Sequence, residues 1–351
     1  IAGLGRIDPV KGGDGHYDKV NLFTDVAIVG GGLMGREIAA AIQRWPALID
    51  HPVRPRLTAV CDINPAALEW FRDIDTVTTL VTDYRDLLND TSIDVVYVAV
   101  RHDLHQQMYV DVINSGKSLL AEKPFGIDGP AATAILAAIA AHPESFVRCS
   151  SALPFYPGAQ WAIDYVKSGA LGTIIEARCS FLHSSDIDPA KPINWKRQVE
   201  YCGEAGVMND LGMHTWHVPL RLGWAPITVS AVLQNIVPER PGPDGTPVPC
   251  DTCDNAVLHC WSQQGDHKFP LTTETKRIAP GEKNTWLFEA IGTEGGVRFS
   301  TKAPKTVEIF SRIDVPGVGK EQSWQHIDAG SQSVWPTVTG GIFADVGSLP
   351  R

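Results

Sequence analysis

The chain has 351 residues, enough for two ordinary domains, each with its own core. Hydrophobic residues make up 44% and charged residues 20%, the profile of a globular protein rather than a disordered or fibrous one. A formal net charge of -10 argues against nucleic acid as a partner, and no apolar run reaches the ~18 residues of a membrane helix.

The first stretch, residues 1–24, reads as a Gly-rich polar extension without the apolar core of a signal peptide. Because the chain opens on Ile1, a cropped or processed start is expected. Cytoplasm is the default location, and a signal cleaved upstream is compatible with the sequence. From residue 25 to 150, short apolar runs alternate with helical patterns, the texture of βα units and a parallel sheet. Strands are expected at Val26–Val29, Leu57–Cys61, Val95–Val100, Ser118–Ala121 and Phe146–Cys149. Helices are expected at Gly35–Arg44, Pro65–Arg72, Asp83–Leu88, Leu104–Ser115 and Pro130–Ala141.

Residues 151–351 form a second expected domain. Alternation there predicts strands at Thr173–Leu182, Thr228–Val237, Ala256–Trp261, Phe269–Lys276, Trp286–Ile291 and Thr306–Ile309. One helical interval, about Glu204–Leu222, interrupts them. The expected architecture is an α/β Rossmann domain with a mainly parallel sheet, followed by an α+β domain with a large antiparallel sheet.

The first chemical signal is G-x-G-x-x-G at Gly30, Gly32 and Gly35, between an apolar strand and the helix-forming run from Arg36 to Ile42. Gly30 allows a tight turn, Gly32 lets the backbone approach a pyrophosphate, and Gly35 lets helix and strand pack closely. Amides at the helix N-terminus face the phosphates. The second strand ends on Asp62, whose carboxylate can accept from ribose hydroxyls and repels a 2′-phosphate. No Arg follows it directly, so NAD is favoured over NADP. A strand-ending Asp that only caps the next helix is the competing reading.

Two further constellations carry possible chemistry. Glu122-Lys123-Pro124 ends a strand on the side of the sheet where α/β ligands gather, and a lysine there can stabilise a developing alkoxide. In the helical interval, Asp210, His214 and His217 are spaced i, i+4, i+7 and would share one helix face. A His oriented by a carboxylate suits a general base near neutral pH. Spacing alone leaves three readings open: catalysis, a structural Asp–His pair, or a divalent metal. Cys250 and Cys253 form C-x-x-C, but no well-placed fourth ligand accompanies them, so no metal is expected.

Taken in order, these motifs resemble the Gfo/Idh/MocA oxidoreductases, named for glucose–fructose oxidoreductase and inositol dehydrogenase. The likeness runs from Val26 to about Arg312. It rests on the Gly30–Gly35 loop, Asp62, and Val95–Val100 followed by His102 and His105. It continues through Glu122-Lys123-Pro124, Pro154–Pro157, Gly169–Gly172, Trp195-Lys196 and Asp210-x-Gly212-x-His214. The resemblance implies cofactor contacts from Gly30, Gly32, Leu33, Met34, Gly35, Asp62, Glu122 and Lys123. It puts Lys123 near the reactive nicotinamide carbon, gives acid–base work to Asp210 and His214, and makes Lys123–Pro124 a candidate cis bond.

Two departures bear on the substrate pocket. Relatives usually carry an acid where His217 stands, and often Thr-Pro where this chain has Val100-Arg101. Arg101, Tyr156, Trp195 and His217 are therefore the candidate substrate residues. The resemblance implies hydride transfer between NAD and a secondary hydroxyl of a sugar, polyol or glycoside. It also implies a homo-oligomer, dimer or tetramer, built through the C-terminal sheet. Two alternatives stay open: glycoside cleavage through transient oxidation and elimination, and a non-catalytic NAD/sugar sensor.

Overall fold

The structure is a computed structural model, and it describes residues 22–47, 53–151 and 153–329. The expected N-terminal extension and the C-terminal end of the chain fall largely outside those residues. The described chain divides into two compact units, with the change between Ser150 and Ser151.

In the first unit, β1 (Leu22–Val29), α1 (Leu33–Ile42), β2 (Val53–Cys61), α2 (Pro65–Leu68), β3 (Thr79–Val81) and α3 (Arg85–Asn89) come first. They are followed by β4 (Val95–Val98), α4 (His105–Asn114), β5 (Ser118–Ala121), α5 (Gly129–Ala141) and β6 (Val147–Cys149). All strand pairings are parallel, in the order β3-β2-β1-β4-β5-β6, the doubly wound arrangement of a dinucleotide-binding sheet. Side chains alternate between two covered faces. Ala27, Val29, Val96 and Val98 join the core with Tyr109, Val112 and Ile135, whereas Val26, Ile28, Val95 and Tyr97 join Ala39, Ile42 and Phe71 on the other. Burial on both faces explains why these strands read as unbroken apolar runs.

Several boundaries move for local reasons. β1 begins at Leu22, inside the expected extension. β4 stops at Val98, two residues short of expectation, because the chain turns away there toward the short helical turn His102–Leu104. The helix expected at Pro65–Arg72 starts under an Asn64 cap, whose side chain accepts from Ala66 N–H at 3.1 Å, then tightens into a 3₁₀ turn at Glu69–Phe71. β3 was not expected; three residues are too few for a periodic signal.

The second unit opens with α6 (Pro157–Lys167), β7 (Ile174–Leu182), α7 (Val199–Cys202), a π turn at Met208–Gly212 and α8 (Met213–Arg221). Then come β8 (Pro226–Gln234), the short pair β9 (Glu239–Pro241) and β10 (Pro247–Pro249), β11 (Asn255–Gln264) and β12 (His267–Lys276). The last elements are β13 (Thr285–Gly292), β14 (Gly296–Ser300), β15 (Thr306–Val315) and β16 (Gly319–Asp328). Eight strands form one sheet in the order β16-β15-β14-β13-β7-β12-β11-β8. It is not wholly antiparallel: β7 lies in the middle, antiparallel to β13 but parallel to β12. The long excursion from β7 through α8, β8 and β11 to β12 supplies the crossover that a parallel neighbour requires.

One face of this sheet is covered. Cys179 and Phe181, Leu271, Thr273 and Thr275, and Trp286 and Phe288 are buried on it. The registers place Phe181 between Thr275 and Trp286, and both β7 and β13 pack against α8. Among the described residues, no helix is long and apolar enough to cross a membrane.

Candidate active site

The glycine loop follows β1. Gly30 has φ +103°, and a Cβ on it would lie 2.2 Å from the Ala99 carbonyl oxygen; a Cβ on Gly35 would lie 2.0 Å from that of Gly30. Internal packing therefore demands glycine at both positions. Gly32 differs, since a Cβ there would meet nothing within 4 Å. No neighbour among the described residues explains it, whereas a ligand pressed against the backbone does. Gly32 caps α1 without a side-chain bond, and the first turn holds no acidic residue, leaving the amide end of the helix for an anion. Leu33 and Met34 stand exposed at 62% and 40% beside it.

Asp62 follows β2 at the same end of the sheet. Its Oδ2 accepts the Gly31 N–H at 2.7 Å, and its Oδ1 accepts the Asn64 N–H at 2.8 Å. Both bonds fix the carboxylate beside the loop, so the residue does more than cap α2, whose cap is Asn64. This cradle fits a dinucleotide.

Lys123 leaves the C-terminal end of β5, the edge at which ligands gather in such sheets. Lys123–Pro124 is cis, as the resemblance implies. The buried Glu122 side chain accepts from the Tyr97 hydroxyl at 2.6 Å and from the Lys123 N–H at 3.1 Å. The Tyr109 hydroxyl donates to the Glu122 carbonyl at 2.6 Å. Burial and the neighbouring Glu122 carboxylate push the Tyr97 phenol well above its ordinary range, so it stays a donor. Arg101 makes two bonds to Asp103, at 2.9 and 3.1 Å.

In the second unit, Asp210 lies within the π turn and is 1% exposed. Its Oδ2 accepts from Lys196 Nζ at 3.2 Å and from the buried Arg277 guanidinium. Neither cation was expected from the helical spacing. Arg277 lies one residue beyond β12, continuing the alternation Phe269, Leu271, Thr273 and Thr275 onto the covered face. That parity is the signal that could have found it. Two cationic donors on one oxygen hold Asp210 as a hydrogen-bonded carboxylate rather than as a free base.

His214 sits four residues on, in the first turn of α8, with its ring stacked on Phe181 at 4.7 Å. His217, one turn further, is half-buried; among the described residues its Nε2 has no hydrogen-bond partner, and burial with the nearby Arg221 draws its pKa down to about 4. His183, which the sequence reading missed, continues the Cys179–Phe181 parity just past β7. Its Nδ1 accepts the Ser185 N–H at 2.9 Å, so the neutral ring carries its proton on Nε2. Burial lowers its pKa, and Arg277 and Lys196 act in the same sense, which places it among the same charges as Asp210.

The other candidates divide. Trp195 begins a 3₁₀ turn under an Asn194 cap, and Lys196 Nζ lies 5.5 Å from its ring centroid. Tyr156 is buried and packs against Phe299; burial lifts its phenol to about 12. Among the described residues, no three His, Cys, Asp or Glu side chains are grouped to hold a metal. Cys250 and Cys253 are free thiols, and Cys253 Sγ contacts the Ala205 carbonyl at 3.7 Å.

Comparison with known proteins gives these features a family. Residues 24–147 match the model described as an oxidoreductase family with an NAD-binding Rossmann fold, and residues 160–298 match the GFO/IDH/MocA C-terminal domain. Levoglucosan dehydrogenase of Pseudarthrobacter phenanthrenivorans is 27% identical over 313 residues, 83% of this chain and 77% of that protein. Inositol 2-dehydrogenase/D-chiro-inositol 3-dehydrogenase of Lactiplantibacillus plantarum is 32% identical over 106 residues, 30% of this chain and 29% of its own. Among solved structures, levoglucosan dehydrogenase in complex with NADH and levoglucosan has a TM-score of 0.79 at 24% identity, covering 93% of this chain and 85% of its own. An oxidoreductase domain protein from Kribbella flavida has a TM-score of 0.82 at 24% identity, covering 91% and 83%. Those two likenesses concern the fold; the two family matches, spanning both units, carry the assignment. The chain belongs to the Gfo/Idh/MocA family of oxidoreductases with an NAD-binding Rossmann fold.

Proposed function

We propose that this protein is an NAD-dependent dehydrogenase that oxidises a secondary hydroxyl of a sugar, polyol or glycoside. The observation that carries this reading is the buried Asp210 carboxylate, held by Lys196 and Arg277 one helical turn before His214. The names of the curated relatives, levoglucosan and inositol dehydrogenases, supply the substrate class.

Roles follow from chemistry. Bound NAD supplies the hydride acceptor. His214 takes the hydroxyl proton, its ring plane set by the stack on Phe181. Asp210 offers the resulting imidazolium a fixed negative charge, because its own oxygen is committed to two cations. Lys123 donates to the substrate oxygen and steadies the charge that develops as the C–H bond breaks. Gly30, Gly32, Leu33, Met34, Gly35, Asp62 and Glu122 form or support the cofactor cradle. Arg101, Trp195, His183 and His217 are the polar and aromatic groups left to recognise the sugar, whereas Tyr156 is buried against Phe299.

The open face of the eight-stranded sheet is the surface we assign to a second copy of the chain. Every residue of β8 is exposed, and on that open face Val232 is 54% exposed and Trp261 on the neighbouring β11 is 53% exposed. Such a stripe on an edge strand is an interaction site. Sedimentation of Val232→Glu/Trp261→Glu should show a smaller assembly than wild type; an unchanged mass would place the interface elsewhere.

The testing experiment is incubation with NAD and a panel containing levoglucosan, inositols, free hexoses and aryl glycosides, following NADH and released aglycone together. NADH in proportion to oxidised sugar supports the dehydrogenase. Aglycone without net NADH would replace it with glycoside cleavage, and silence in both channels with NADH still bound would favour a sensor.

A further inference from the structure

We propose that His105 is a positioning residue for Lys123, anchoring the backbone on the far side of the lysine; this rests on the reading of Lys123 as the group that holds the substrate oxygen. His105 is the first residue of α4 and is fully buried. Its Nδ1 lies 2.8 Å from the Pro124 carbonyl oxygen and its Nε2 lies 3.1 Å from that of Val100. The ring stacks on Tyr109, the next turn of the same helix, at 4.8 Å and 22°.

The two side chains together bracket the lysine. The Tyr109 hydroxyl donates to the carbonyl of Glu122, the residue before Lys123, and His105 engages the carbonyl of Pro124, the residue after it. The Lys123 N–H is itself bound by the Glu122 carboxylate. Pro124 O also accepts from Gly126 N–H at 2.9 Å, leaving its second lone pair for the imidazole. One helix face thus fixes the backbone on both sides of the lysine, with Val100 O, just past the end of β4, beside the other ring nitrogen.

A neutral imidazole donates from one nitrogen only. Burial draws the His105 pKa down and Lys123 acts in the same sense, against the two carbonyls and Asp103, which raise it. The ring is therefore neutral near pH 7, and the shorter contact assigns its proton to Nδ1, facing Pro124. Val100 O then faces the Nε2 lone pair, so that contact is geometric rather than a donated bond.

This asymmetry makes the proposal testable by replacement. The Asn amide nitrogen reaches the region of Nδ1, that of Gln reaches Nε2, and Leu donates nothing. Turnover of levoglucosan, or of the panel sugar that wild type oxidises fastest, is measured for His105→Asn, His105→Gln and His105→Leu. NADH affinity by fluorescence and thermal melting are recorded alongside. A displacement of about 1 Å in a positioned group costs on the order of 100-fold in rate. We expect His105→Leu to lose about 100-fold in kcat, with KM and NADH affinity within about threefold of wild type. His105→Asn should recover most of the loss and His105→Gln should not. If His105→Leu does not fold, the Asn and Gln variants decide the matter alone. Asn no better than Gln, a Leu variant within threefold of wild-type kcat, or losses that only track melting temperature and NADH affinity would each overturn the positioning role. Lys123→Met, run in parallel, separates the two claims: if it keeps wild-type turnover, the reading of Lys123 falls and takes this inference with it. If it is inactive while all His105 variants turn over normally, only the inference falls.

Discussion

Arg277→Met tests the electrostatic core of the site. The substitution keeps an unbranched apolar stem of similar reach and removes the guanidinium from a carboxylate that is 1% exposed. Breaking a buried pair by removing one partner costs about 3–5 kcal/mol, because the other charge is left stranded. Here Lys196 still donates to Asp210 at 3.2 Å, and Asp186 keeps Lys191 at 2.8 Å. The lower end, about 3 kcal/mol, therefore applies. For a unit of this size that corresponds to a fall of roughly 6–12 °C in melting temperature. Urea unfolding followed by Trp fluorescence would measure it. Adding Asp210→Asn removes the stranded charge, so the double variant should be more stable than the sum of the two singles by about 1–3 kcal/mol. Strict additivity, or a single-variant cost below about 0.5 kcal/mol, would refute the argument that Arg277 neutralises Asp210.

Four further outcomes follow from the same structure. Gly32→Ala should weaken NAD binding about tenfold and cost no more than about 1 kcal/mol of stability through a poorer cap, since its Cβ meets open space. Gly35→Ala should destabilise the first unit by at least about 1–3 kcal/mol, because that Cβ would press on the Gly30 carbonyl at 2.0 Å; equal behaviour of the two variants in melting and titration would contradict this. Asp62→Ser with Ile63→Arg should shift the NAD/NADP preference at least about tenfold toward NADP in steady-state kinetics, and an unchanged ratio would remove Asp62 from ribose recognition. His217, with a folded pKa near 4, stays neutral while the unfolded chain takes up a proton at about 6.5. Wild type should therefore lose about 2–3 kcal/mol relative to His217→Gln as pH falls from about 6.5 to about 4. A flat difference between the two across that window would show that the imidazole titrates normally.

Much of the first unit was legible because its signals are local. An apolar strand, three glycines and a strand-ending Asp lie within about 40 residues, and each is dictated by its immediate backbone. The second unit was legible as strands but not as a site. Asp210 and His214 were visible through helical spacing, whereas Arg277 reaches Asp210 across 67 positions of chain. Only the packing of the π turn against β12 brings them together, and no periodicity contains it. The π turn also escaped notice, since the residues that form it suit an α-helix equally well. Pairing escaped too: β7 is parallel to β12 because later strands insert beside it. His105 was seen as part of a motif, but its hold on Pro124 depends on how α4 packs beside β5, which its sequence neighbours do not encode.

The most direct test of the central claim is to follow a labelled hydrogen. A sugar that the protein oxidises is prepared with deuterium on the reacting carbon and incubated with NAD, and the NADH is weighed by mass spectrometry. The account predicts NADH one mass unit heavier, formed one for one with oxidised sugar by wild type and lost in Lys123→Met and His214→Ala. Unlabelled NADH, or product formed with the deuterium released to water, would contradict hydride transfer between the sugar carbon and the nicotinamide.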